Sequence, residues 1–114
     1  MLAKVRFDTI TNRETWLERI EIRDKDTGEP LDLSQAYIRL EIVARPHNST
    51  ILRINSETGN IRGTEDGFIE WEFSEHTMRT MQAGFYKVGL VYTLNGRTVQ
   101  VILGDIQIED GVIS

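Results

Sequence analysis

Phe85-Tyr86-Lys87-Val88-Gly89-Leu90-Val91-Tyr92-Thr93-Leu94-Asn95-Gly96-Arg97-Thr98-Val99-Gln100-Val101-Ile102-Leu103 is the stretch that decides the fold. Tyr86, Val88, Leu90, Tyr92 and Leu94 fall at every second position, opposite Lys87, Gly89 and Thr93. Apolar residues with a period of two line one face of a half-buried strand. Asn95-Gly96 follows, a pair that accepts positive φ at both positions, and a second alternating run begins at Arg97. Two such runs joined by Asn-Gly predict an antiparallel hairpin closed by a two-residue type I′ turn.

The same period runs outward from this hairpin. Ile69, Trp71 and Phe73 alternate with Glu70 and Glu72. Ala36, Ile38, Leu40 and Ile42 alternate with Tyr37, Arg39, Glu41 and Val43. Trp16, Ile20 and Ile22 face away from Arg19, Glu21 and Arg23, and residues 4–8 and 51–55 are shorter strand candidates. Asp26-Thr27-Gly28-Glu29-Pro30 and Glu65-Asp66-Gly67 carry turn chemistry, and Pro46 sits where it stops pairing. The last strand changes phase: Val99, Val101 and Leu103 share one face, Ile102, Ile106 and Ile108 the other. Gly104-Asp105 falls at the switch and predicts a bulge; a strand buried on both faces is the alternative.

One segment reads as helical. Residues 74–84 open with Ser74, a good N-cap, carry Glu75 in the first turn and close with Gly84 as a stop. Met78 and Met81 share its core face, and two to three turns is the limit. About seven short strands with one short helix predict an all-β fold, an immunoglobulin-like antiparallel β-sandwich; a small closed barrel is the alternative. The 114 residues form one domain, 1–114.

Composition excludes several functions. The chain has no cysteine, hence no disulfide, thiol nucleophile or thiolate metal site. Thirteen basic and eighteen acidic residues give a net charge of −5, with no basic patch for nucleic acid. No apolar run has the length of a signal peptide or a membrane span, so the expectation is a protein made in the cytoplasm without a signal peptide. The sequon Asn48-Ser49-Thr50 reads as a polar turn in that setting.

No constellation of side chains predicts chemistry. Asp24 and Asp26 before Gly28 form a fragment of a calcium loop that lacks the third acidic position and the distal Glu. His47 and His76 are isolated and do not make a zinc site. Ser74-Glu75-His76 are consecutive, whereas triads assemble from separated segments. Glu70 and Glu72 lie roughly 6.5–7 Å apart on one strand face, a glycosidase-like spacing, but the alternating Ile69, Trp71 and Phe73 explain them as a wet face. Trp16 and Trp71 sit on apolar rows and read as core; an exposed sugar-stacking pair is the alternative. The expectation is a non-enzyme with no catalytic, cofactor-binding or metal residues.

A longer layout carries a resemblance. Trp16 and the strand at 18–23 lead into Asp24-Lys25-Asp26-Thr27-Gly28-Glu29-Pro30-Leu31-Asp32-Leu33-Ser34-Gln35-Ala36 and the strand from Tyr37. Downstream come Gly67-Phe68-Ile69-Glu70-Trp71-Glu72-Phe73, the short helix, Ala83-Gly84-Phe85-Tyr86 and a final strand through Ile108. This resembles small β-sandwich proteins encoded among tail and virion-structure genes of phages and prophages. It is similar in plan to the N-terminal domain of baseplate upper proteins. The resemblance implies a non-enzymatic virion structural or assembly protein. Its partners would be other tail, baseplate or virion proteins and its own copies in a homo-oligomer, with no nucleic acid and no membrane. It would be made in the bacterial host cytoplasm and carried in the virion. With no stalk or receptor-binding region after Ser114, a free-standing tail, neck or fibre-accessory component is expected. A carbohydrate-binding or adhesin-type module is the alternative. Tyr37, Val43, Phe85 and Val91 are apolar on faces read as wet, and would mark a contact surface if they clustered.

Overall fold

The Asn95-Gly96 hairpin is present in the computed structural model: φ is 52° at Asn95 and 79° at Gly96, the two positive values a type I′ turn needs. The structure describes residues 3–44 and 49–111, and only the backbone of residues 3–6, 49, 102 and 103. The hairpin arms are the two longest strands, Gly84–Leu94 and Arg97–Glu109. In chain order the strands are β1 (Ala3–Arg6), β2 (Ile10–Thr11), β3 (Trp16–Glu21), β4 (Tyr37–Ala44), β5 (Ser49–Asn55), β6 (Ile61–Gly63), β7 (Phe68–Phe73), β8 (Gly84–Leu94) and β9 (Arg97–Glu109). A single helical turn, α1 (Glu75–Met78), joins β7 to β8. The fold is all-β, as the period-two rows predict.

The strands form two sheets rather than one closed barrel. The large sheet runs β1-β9-β8-β4-β5, with β2 also beside β9, and the small sheet runs β3-β7-β6. Alternate side chains of both sheets meet between them. Ile38, Leu40 and Ile42 of β4 and Val88 and Leu90 of β8 are fully buried, as are Ile69 and Trp71 of β7. One end of this core is aromatic. Phe7, Trp16 and Trp71 meet edge to face with ring centroids 5.9–6.1 Å apart, and Phe73 lies 5.6 Å from Trp16. The Trp16 indole N–H donates to Glu18, whereas the Trp71 indole N–H is buried without an acceptor among the described residues. Gly63 lets the crossover through Leu33 lie against β6: a Cβ there would stand 2.3 Å from the Leu33 carbonyl oxygen.

Four features differ from the sequence expectation. Nine strands are described rather than about seven, because Ile10–Thr11 and Ile61–Gly63 are too short to show a period. The sandwich is not wholly antiparallel: β1 and β2 pair in parallel with β9, Val5 opposite Gly104 and Ile10 opposite Ile108. Parallel neighbours need a long crossover, and here the rest of the sandwich provides it. The bulge lies at Val101, not at Gly104-Asp105. Leu90 pairs with Ile102 and Val91 with Gln100, so Val101 is the extra residue. That one insertion turns Val101, Ile106 and Ile108 to the same interior. Finally, the helix is one turn, not two to three. Ser74 caps it by accepting from the Thr77 N–H. Beyond Met78 the bonds tighten to Thr80 N–H to Thr77 and Met81 N–H to Met78. That tight turn already buries both methionines, and Gly84 opens β8 instead of ending a helix.

Candidate functional site

The side chains singled out in the sequence are used locally. Asp24 accepts from the Asp26 and Thr27 N–H groups at 2.8 and 3.2 Å, so its carboxylate holds the turn. Arg23 closes that turn from outside, donating to Glu21 and to the Gly28 carbonyl. Asp32 accepts the Ser34 hydroxyl at 2.7 Å and the Ser34 N–H at 2.9 Å, and the hydroxyl above all holds its carboxyl below the ordinary value. His76 is exposed on α1, while Pro46, His47 and Asn48 of the sequon fall outside the described residues. Among the described residues no group of three or more His, Asp or Glu is placed to hold a metal ion. No helix among them is long and apolar enough to cross a membrane.

Burial separates the polar groups further. Asn12 is the one buried polar side chain among the described residues. Its amide donates to the Met81 carbonyl and to Asp110, and its oxygen accepts from the Gly111 N–H. It ties the β2 turn, the segment after α1 and the end of β9 together. Trp16 and Trp71 are 2% and 1% exposed, so neither offers a platform for sugar stacking. At the hairpin end an open cleft of about 370 Å³ separates the two sheets, floored by Leu31, Tyr92, Val99 and Val101. Its rim carries Lys25 and Arg97 beside Asp24 and Asp26, a mixture that selects neither an anion nor a cation.

The outer faces of the sheets differ in how they satisfy themselves. On the small sheet, Glu70 lies between Arg19 and Arg62, with contacts of 3.0 and 2.9 Å. The Arg19 guanidinium also lies 3.7 Å over the Phe68 ring. Strand register makes this network: Arg19 and Arg62 both stand directly opposite Glu70. Glu72 beside it is exposed, and its partner position holds Leu17, 70% exposed.

The outer face of the large sheet is barer. Register places Tyr37, Arg39, Glu41 and Val43 of β4 opposite Thr93, Val91, Gly89 and Lys87 of β8. Phe85 follows at the same face and is 61% exposed. The four apolar residues noted in the sequence therefore make two diagonal pairs, Tyr37 with Val91 and Val43 with Phe85. Between the pairs stand Arg39, Glu41, Lys87 and a glycine. Glu41 reaches Arg53 of β5 at 3.6 Å, and Arg39 lies 5.9 Å from the Tyr37 ring centre. Ile51 is 41% exposed where the β4–β5 register slips past it. Sequence reading misses Gly89, because its position at the centre of the face appears only once β4, β8 and β9 are in register.

No family model matches the chain, and no curated protein matches it.

Proposed function

We propose that the chain is a non-enzymatic structural or assembly protein of a phage or prophage tail or baseplate, acting through protein–protein contacts. The observation that carries this reading is the outer face of the large sheet, where Phe85 is exposed and two apolar pairs flank a charged, glycine-centred middle. The four do not form one contiguous patch; they make two small apolar footholds on an otherwise polar face, with Phe85 the exposed one. Strand order supports an immunoglobulin-like reading of the sandwich. β4-β8-β9 follow the C-F-G order and β3-β7-β6 the B-E-D order of that fold, and β5 stands where variable-type domains place C′. In this reading the protein is carried in the virion, its partners are tail proteins and further copies of itself, and it uses no cofactor.

The carbohydrate-module alternative loses support from the burial of both tryptophans. Co-expression with the products of neighbouring genes, followed by co-sedimentation, tests the proposal. A defined complex with a tail or baseplate protein, weakened by Phe85→Ser, is the expected result. Binding of a soluble glycan, with no complex to any of those products, would overturn it.

A further inference from the structure

Gly89 has no internal reason to be a glycine. It sits mid-strand in β8, at the centre of the large sheet, with Glu41 opposite on β4 and Leu103 opposite on β9. It is not among the residues with positive φ. Among the described residues a Cβ built on it meets nothing within 4 Å, in contrast to Gly63, where one meets backbone. The register slip of β9 begins one pair further on, between Leu90 and Val91, so Gly89 itself pairs regularly. A glycine inside a strand weakens it, and where no bulge or turn demands one it marks close approach from outside. The notch it leaves is bordered by Lys87 and Val91 along β8 and by Glu41 across the ladder.

Resting on the assembly reading above, we propose that this face binds a second copy of the chain, through a two-fold axis running along the strands between β4 and β8. Such an axis exchanges the two strands and keeps their rows. Glu41 of each copy then lies over Gly89 of the other, beside that copy's Lys87. An axis across the strands would instead set Glu41 against its own symmetry mate. The face also carries both signs, Arg39, Arg53 and Lys87 with Glu41 and Asp105, as an isologous contact requires. Aligned sheets cross at about 30°, which displaces residues near the axis least. Four strands about 4.8 Å apart and the Phe85–Thr93 run at about 3.4 Å per residue give roughly 19 × 27 Å, about 500 Å² per copy. Two copies together cover on the order of 1,000 Å², the threshold for a specific interface.

The test is sedimentation equilibrium of the whole chain across a concentration series up to millimolar. The wild-type chain should pass from one chain mass toward two. Gly89→Val should keep or raise the melting temperature, since its Cβ meets nothing among the described residues of its own copy and valine favours a strand, yet remain at one chain mass. Glu41→Lys should also remain at one chain mass, and Glu41→Lys with Lys87→Glu should recover the dimer. A wild-type monomer at every concentration overturns the proposal, as does a Gly89→Val dimer or a charge exchange that restores nothing. A wild-type monomer removes the self-contact alone; complex formation with neighbouring gene products is read separately by co-sedimentation, so the two readings fail separately.

Discussion

The outer faces of the two sheets are built from similar residues and end up with opposite characters. On the small sheet the register puts Arg19 and Arg62 on either side of Glu70, and Phe68 takes the Arg19 guanidinium on its ring. That face satisfies its own charges. On the large sheet the register puts Gly89 in the middle, separates the apolar residues into two pairs and leaves Phe85 out in water. The small sheet settles its charges within its own face and exposes Leu17 beside them, whereas the large sheet sets Phe85, Tyr37, Val43 and Val91 around an uncovered Gly89, an arrangement with a use for another surface. Alternation in the sequence is alike for both, so it is pairing across strands that makes them different.

The inner faces carry the stability, and the largest expected effect falls there. Trp71→Ala removes a ring packed against Phe7 and Trp16 and should cost about 3–5 kcal/mol in denaturant unfolding. Glu72→Ala, next along β7 but exposed, should change stability by no more than about 0.5 kcal/mol. Equal costs would mean that inside and outside have been exchanged. Next comes the glycine contrast. Gly63→Ala drives a methyl into the Leu33 backbone and should cost about 1–3 kcal/mol by overpacking. Gly89→Ala has open space and should be neutral or slightly stabilising in the same assay.

Smaller effects sharpen the contrast between the outer faces. Glu70→Gln removes the shared partner of two exposed arginines and should cost about 1 kcal/mol, less at high salt. Alkaline unfolding probes the core side of β8. Burial raises the Tyr86 phenol above its ordinary value, and its hydroxyl donates to the Gln82 carbonyl. A group whose folded value is raised keeps its stabilising contribution below the unfolded value, about 10. That contribution is lost as pH rises through the folded value. Tyr86→Phe should flatten this alkaline loss in a series of melting temperatures against pH.

Much of the architecture is legible from residue order alone, and what is missing has physical causes. Asn95-Gly96 marks its turn because few residues accept two positive φ angles in succession. The rows through Trp71, Leu40 and Leu90 mark their buried faces because alternation is local. The bulge is signalled by a phase change but displaced, since Val101 and Gly104 both fit the pattern until the β8 register is known. Parallel pairing of β1 leaves no local trace. One turn of helix replaces the expected two or three because tertiary docking of Met78 and Met81 leaves no need for more. The surface is least legible of all. Tyr37, Val43, Phe85 and Val91 are visible singly, but their pairing around Gly89 is a property of the assembled ladder.

The central claim is that the outer face of the large sheet is the contact surface and that of the small sheet is not. Amide ¹H–¹⁵N spectra recorded from dilute to millimolar concentration test it most directly. The account predicts concentration-dependent shifts or broadening at Lys87, Gly89, Val91, Arg39 and Glu41, with Leu17, Arg19, Arg62 and Glu70 unchanged. Perturbations centred on Arg19 and Glu70, or none on either face, would contradict it.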